Sequence, residues 1–292
     1  MLPVMRLTID SWGIREIERL AESPEFGRRR TDDLVFVVLS HQILEGINAY
    51  VKFGILRLEV PEKYHGLQTW DTPTPPDLHQ CHFYPAKITN STRFRTIDLD
   101  QTTGITFFFS NDQIYAVHAH TRTTPYAQVT YQRLPHRRQQ SVTWIYVPFA
   151  QRDTVVAIGS RMPSSGATFS STCLLFRMKL GGDVSVGVGL SEEVRDVLLS
   201  KAPTTLIYNE LESQPVSVFG ACPTEVEEDS RPATPFSQPL IDDAPFPYAY
   251  FSLAPLERVN RARIFNAELT GFCVGILFDT KTALSDHLGN AE

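Results

Sequence analysis

No apolar run in this 292-residue sequence is long enough to span a bilayer as a helix; the longest, such as ITFFF at 105–109, are far too short. The opening MLPVMRLTID lacks the long apolar stretch that secretion needs. The chain therefore reads as intracellular, in the cytoplasm or nucleus and not secreted, with no membrane partner. The sequon Asn90-Ser91-Thr92 is then expected to stay unused. Methionine is scarce, 4 residues against 18 phenylalanines and 10 tyrosines, a balance that leans to sheet. Glycine, at 16 residues, is too sparse for the turns of a propeller. A net charge of −6 argues against nucleic acid, because phosphate binding needs a concentrated basic surface. The one basic cluster, RLPHRR at 133–138, reads as a solvated loop between two strands.

Catalytic signatures are missing as well. There is no GxSxG elbow, and neither Gly181-Gly182 nor the GVG at 187–189 continues into a phosphate loop. The four cysteines, Cys81, Cys173, Cys222 and Cys273, form no CxxC pair and no metal-type spacing. Cys173 and Cys273 fall within apolar strand candidates, where a free thiol behaves as a small hydrophobe. No catalytic residue, metal or cofactor is assigned.

What the sequence does have is self-similarity. The stretch VTWIYVPFAQRDTVVAIGSR (142–161) reads as two strands around a polar turn, and PYAYFSLAPLERVNRARIF (247–265) answers it. Tyr146, Phe149, Ala150, Asp153 and Val155 match Tyr250, Leu253, Ala254, Glu257 and Val259 at a constant offset of 104. CLLF at 173–176 then answers VGILF at 274–278 at an offset of 102. Such echoes point to a repeated supersecondary unit. The expected architecture is all-β: a pseudo-repeated, β-prism-like or sandwich domain over 32–284, with copies at about 34–60, 88–135, 142–187 and 248–280. An N-terminal segment (1–31) precedes it, where SWGIREIERLAES suits either two helical turns or, since GIREIERL alternates, a strand. One short helix is predicted near 191–200, with Ser191 as cap and Glu192 and Glu193 in its first turn. AQVTYQRL (127–134) is read as a strand. Residues 224–247 carry six acidic residues, one arginine and five prolines, and are predicted to form a mobile loop; 285–292 form a tail.

Three residues stand out as ligand contacts. His118 and His120 lie two apart, so on a strand they share a face; a polar strand face is a better reading than a metal site, since no spacing selects a third ligand. Trp70 precedes WDTPTPP, whose prolines rule out a helix interior or central strand, and plugs an apolar surface or stacks on a ligand. Trp144 and Tyr146 read as core aromatics.

The segments WDTPTPPDLHQC, GITFFFSNDQIYAVHAHT, VTWIYVPFAQRDTVVAIGSR, LLFRMKLGGD and YFSLAPLERV…GFCVGILFD resemble those of a large group of uncharacterised filamentous-fungal proteins. Many of these carry an F-box-like segment before a β region of this type. The resemblance implies a fungal source and covers the β region; residues 1–27 show no F-box pattern. At the level of architecture the repeat unit is similar to the jacalin-like β-prism, although the GxxxD sugar loop of that family is not cleanly present near Asp279 and Asp286. Together these features predict a non-enzymatic binding module for a protein partner or a glycan. The alternative is an accessory enzyme or small-molecule carrier with a pocket between sheets. Nothing in the sequence sets an oligomeric state.

Overall fold

Strands make up most of what the computed structural model describes, which is residues 4–27, 31, 33–39, 47–59, 67–84, 93–149, 153–163, 173–188, 194–210, 214–223, 234–237, 250–252, 259–266 and 273–280. Among these, the first strands are β1 (Val4–Asp10), β2 (Gly13–Leu20), β3 (Val35–Leu39), β4 (Asn48–Lys52), β5 (Ile55–Glu59), β6 (Thr69–Trp70) and β7 (His82–Tyr84). Then come β8 (Arg93–Asp98), β9 (Gly104–Ser110) and β10 (Gln113–His120), two short helices α1 (Gln128–Arg133) and α2 (His136–Gln139), and β11 (Thr143–Pro148). The rest are β12 (Val155–Pro163), β13 (Cys173–Met178), β14 (Gly182–Val188), β15 (Val194–Lys201), β16 (Pro203–Asn209), β17 (Phe219–Pro223), β18 (Tyr250–Ser252), β19 (Val259–Asn266) and β20 (Cys273–Thr280). The all-β expectation holds.

Three sheets make up most of the unit spanning 1–253: β2-β1-β3-β6-β8-β16-β17-β7, β10-β9-β11 and β15-β12-β13-β14-β18. Each gives one face to a common core. Ile97, Leu206 and Phe219 enter from the first sheet, Ile105, Phe107, Val117 and Val147 from the second, and Ile158, Phe176, Val186 and Leu199 from the third. The period of two along β9 sorts Ile105, Phe107 and Phe109 inward and Thr106 and Phe108 to the other face. The phenol of Tyr208 donates to the carbonyl of Val117, so this buried hydroxyl, which reaches between two sheets, has a partner. The second unit, 254–292, contains the hairpin β19-β20.

The offsets noted in the sequence reappear as registers. Val155 faces Met178 and Val259 faces Thr280; Ile158 faces Phe176 and Ala262 faces Phe278. Both hairpins break register at the same place, between Val155 and Ala157 and between Val259 and Arg261. The strand–turn–strand stretches at 142–161 and 247–265 are not themselves hairpins. β11 pairs with β9 and β12 with β13 and β15, so each stretch carries the chain from one sheet to another.

Several expectations are corrected. The predicted helix near 191–200 is strand β15, paired along β12, with Asp196 in a bidentate ion pair with the buried Arg161. Pairing and that buried partner outweigh helix propensity; residues 191–193 lie outside the described set. Of the two readings of the N-terminal segment the strand holds and the helix does not: GIREIERL is β2, in a hairpin with β1. The Asp10 carboxylate accepts from the N–H groups of Trp12 and Gly13, and Gly13 takes φ +128°, which closes the β1-β2 turn. AQVTYQRL, read as a strand, forms α1, which sets Tyr131 and Leu134 against Phe108. Of the predicted mobile loop, 234–237 are described, and they are anchored. Phe236 is buried against Ala157, Cys173 and Leu175, Arg177 donates to the carbonyls of Thr234 and Pro235, and the N–H of Ser237 donates to Asp183. The remainder of 224–247 lies outside the described residues.

Cys81 and Cys222 are joined by a disulfide across a sequence separation of 141. Disulfides persist mainly in oxidising compartments, so this bond runs against the reducing location expected from the sequence. Cys173 is free and buried, and burial pushes its thiol up to about 11, against the pull of the nearby Arg161 charge.

Candidate functional site

The outer face of β10-β9-β11 gathers the residues with chemistry. Because Ile105, Phe107, Val117 and Val147 face the core, alternation sends Thr106, His118, His120, Trp144 and Tyr146 to the opposite side. The chain between β10 and β11 folds back over part of that side as the 121–127 turn, α1 and α2. Tyr131 stacks on Phe108 and lies 5.0 Å from the Trp144 ring, and the Arg138 guanidinium sits 3.9 Å over Tyr115.

The two histidines hold that segment down. His118 Nε2 lies 3.1 Å from the Thr124 carbonyl, and its Nδ1 lies 2.8 Å from the Thr130 hydroxyl. His120 Nδ1 lies 2.9 Å from the Pro125 carbonyl, and its Nε2 lies 2.7 Å from the Thr106 hydroxyl. A carbonyl only accepts, so each nitrogen facing one carries a proton. In the neutral rings His118 is then the Nε2–H tautomer and His120 the Nδ1–H tautomer, each accepting from a threonine hydroxyl at the other nitrogen. The rings meet edge to face at 4.7 Å, and His120 meets Tyr146 at 4.9 Å. Among the described residues no group of three His, Cys, Asp or Glu side chains stands ready to hold a metal ion.

Beyond the histidines the face opens to solvent. Trp144 is 41% exposed and Tyr146 36%, where the sequence suggested core. Tyr126 and Val129, on the covering segment, are exposed as well. Partial burial still raises the Tyr146 phenol above its ordinary value, and its hydroxyl donates to the Thr103 carbonyl. The ring lies against Gly104, where a β-carbon would collide with it.

Trp70 is not brought to the histidines. It is buried, stacks on Phe94 at 4.8 Å, and packs with Cys81, Ile207, Val218 and Cys222 beside the disulfide. Its role is to fill that cluster, which agrees with the plug reading and leaves it 3% exposed to any ligand. The neighbouring Asp71, just past the end of β6, accepts from the backbone and hydroxyl of Thr96 and ties that end to β8.

Reading by residue type missed what the site is made of. Thr106, Thr124 and Thr130 carry no signal of their own. One signal was available: from Gln113 to Arg152 the sequence has five arginines and three histidines and no Asp or Glu, within a chain of net charge −6. Compared with protein-family models, with curated proteins and with solved structures, the chain matches none.

Proposed function

We propose that this chain is a non-enzymatic binding module that meets a protein partner, or a glycan, on the outer face of β10-β9-β11. The observation that carries this is the pair Trp144 and Tyr146, two apart on one strand and exposed at 41% and 36%, on a sheet whose other face is core. Exposed aromatics on a rigid sheet give contact area at little cost in side-chain entropy. An accessory enzyme or small-molecule carrier finds less support, because the ring nitrogens of His118 and His120 already face hydroxyls and carbonyls.

The same proposal keeps a filamentous-fungal chain and an internal duplication, the latter supported by the shared registers of β12-β13 and β19-β20. It also keeps a cytoplasmic or nuclear setting, against which the Cys81–Cys222 bond stands. Peptide and glycan arrays probed with the wild type and with a Trp144→Ala/Tyr146→Ala double variant test the binding reading. Signals held by the wild type and lost by a folded double variant support it. Identical patterns from both proteins would remove this face from consideration.

A further inference from the structure

The two edges of the three-stranded sheet differ. On the β10 edge the outward carbonyls are taken: Tyr208 donates to Val117, the Val216 N–H to Ile114, and the Thr124 hydroxyl to Ala119. Among the described residues the β11 edge is open. The N–H of Phe149 bonds the carbonyl of Thr103, and the register continues as Val147 opposite Ile105, Ile145 opposite Phe107 and Thr143 opposite Phe109. In an antiparallel ladder alternate residues exchange bonds with the neighbour, so these odd-numbered residues face β9. Trp144 and Tyr146 therefore direct their N–H and C=O groups away from the sheet, and no partner for those groups occurs among the described residues. An unpaired edge of this kind is a template for another strand.

Charge selects the occupant. α2 leads straight into β11, and Arg137 and Arg138 lie just ahead of it in the acid-free stretch 113–152. Accepting the binding-module reading, on which this rests, we infer that β11 takes an extended acidic peptide as an added antiparallel or parallel strand. Main-chain bonds to Trp144 and Tyr146 supply its register. Side chains at alternate positions of the peptide lie on the face of the two exposed rings, the side α2 covers, and carry carboxylates toward the arginines; those between them lie on the core side of the sheet and are apolar. Pro148, which has no N–H, ends the ladder on its side. A second copy of this chain is disfavoured, since its own α2 and β11 carry no carboxylate to meet these arginines. Single-stranded nucleic acid suits arginine and aromatic side chains but has no alternating N–H and C=O to match the edge.

The test uses the full chain and fluorescence anisotropy with three labelled peptides: alternating glutamate and valine, alternating lysine and valine, and the glutamate peptide N-methylated at alternate residues. Tight binding of the first, with at least about tenfold weakening for each of the others and for Trp144→Ala, is the expected result. Binding that falls as salt is raised belongs to the same expectation. Equal affinity for the N-methylated peptide overturns strand addition while leaving the aromatic face as a binding surface. Preference for a labelled oligonucleotide, or a dimer by light scattering that Trp144→Ala dissolves, overturns the peptide as occupant. No binding to any peptide, with array signals that still depend on Trp144, also sinks this inference and spares the broader reading.

Discussion

Gly159 and Phe236 share one small volume: a β-carbon at Gly159 would stand 2.7 Å from Cε2 of Phe236 and 3.0 Å from the carbonyl oxygen of Val197. The absent side chain on β12 is what lets a residue from a proline-rich acidic stretch seat its ring on the sheet. Gly159→Ala is expected to destabilise the protein by about 1–3 kcal/mol through overpacking. The urea midpoint reads the loss, and Phe236→Ala in the same background should recover part of it. If Gly159→Ala leaves both the midpoint and the amide protection of 234–237 unchanged, the ring does not depend on that space.

Acid should loosen the same anchor. Burial pulls the Asp183 carboxyl upward, but its bonds from Arg177 and from Ser237 outweigh that, so its pKa in the folded chain lies below the ordinary value. The sign follows from linkage: the stabilisation is complete above the ordinary carboxylate range and is lost as pH falls through the lowered folded value. Stability measured from neutral to acid pH should therefore decline at the acid end, and Asp183→Asn should flatten that decline. Parallel curves for wild type and variant would assign the acid loss to other carboxylates.

The disulfide has a larger expected effect. Chain entropy gives about 5 kcal/mol for a link across a separation of 141 residues, before any relaxation of the native state. Reduction, or Cys222→Ser, should lower the unfolding free energy by an amount of that order, read from denaturant titrations. Trapping free thiols at the moment of lysis then reads the compartment: if the bond is absent from chain taken from its native cell, the cytoplasmic or nuclear setting gains ground.

His118→Ala should detach the covering segment. It leaves the Thr124 carbonyl and the Thr130 hydroxyl without their ring partner, at a cost of about 1–3 kcal/mol. Hydrogen exchange should speed up across 121–133 first, ahead of β9 and β10. Uniform exchange with no local change there would mean the segment is held by Tyr131 and Leu134 alone.

Much of this was written in local pattern. The aromatic run of ITFFF and the alternation of QIYAVHAH mark β9 and β10, and Asn111 and Asp112 both take positive φ in the turn between them. The misses share one physical cause, a distant partner that local pattern does not contain. VRDVLLSK carries helical spacing, yet Arg161 and the β12 ladder settle it as a strand. QVTYQR carries strand-like residues, yet Phe108 gives Tyr131 a ring to lie on. Cys81 finds Cys222 because β7 lies beside β17, a neighbourhood that no spacing rule encodes. At the site, His118 and His120 were legible as a pair on one face. Their job as latches was not, since it depends on carbonyls presented by a turn. The opening of the β11 edge belongs to sheet order, which becomes visible only once every strand has its neighbour.

Sheet order also sets a timetable. Ile97 in β8 waits for Leu206, and Phe83 in β7 waits for Gly220, so on a ribosome these strands emerge about 110 and about 140 residues before their partners, roughly 5–30 s at about 5–20 residues per second. For that interval Ile97 lacks its β16 partner, and Phe94, also buried in the finished fold, has Trp70 of β6 on one side and no β16 on the other. The protein is thus one whose yield in a cell should be governed by how fast translation delivers β16 and by what shields the strands until it arrives.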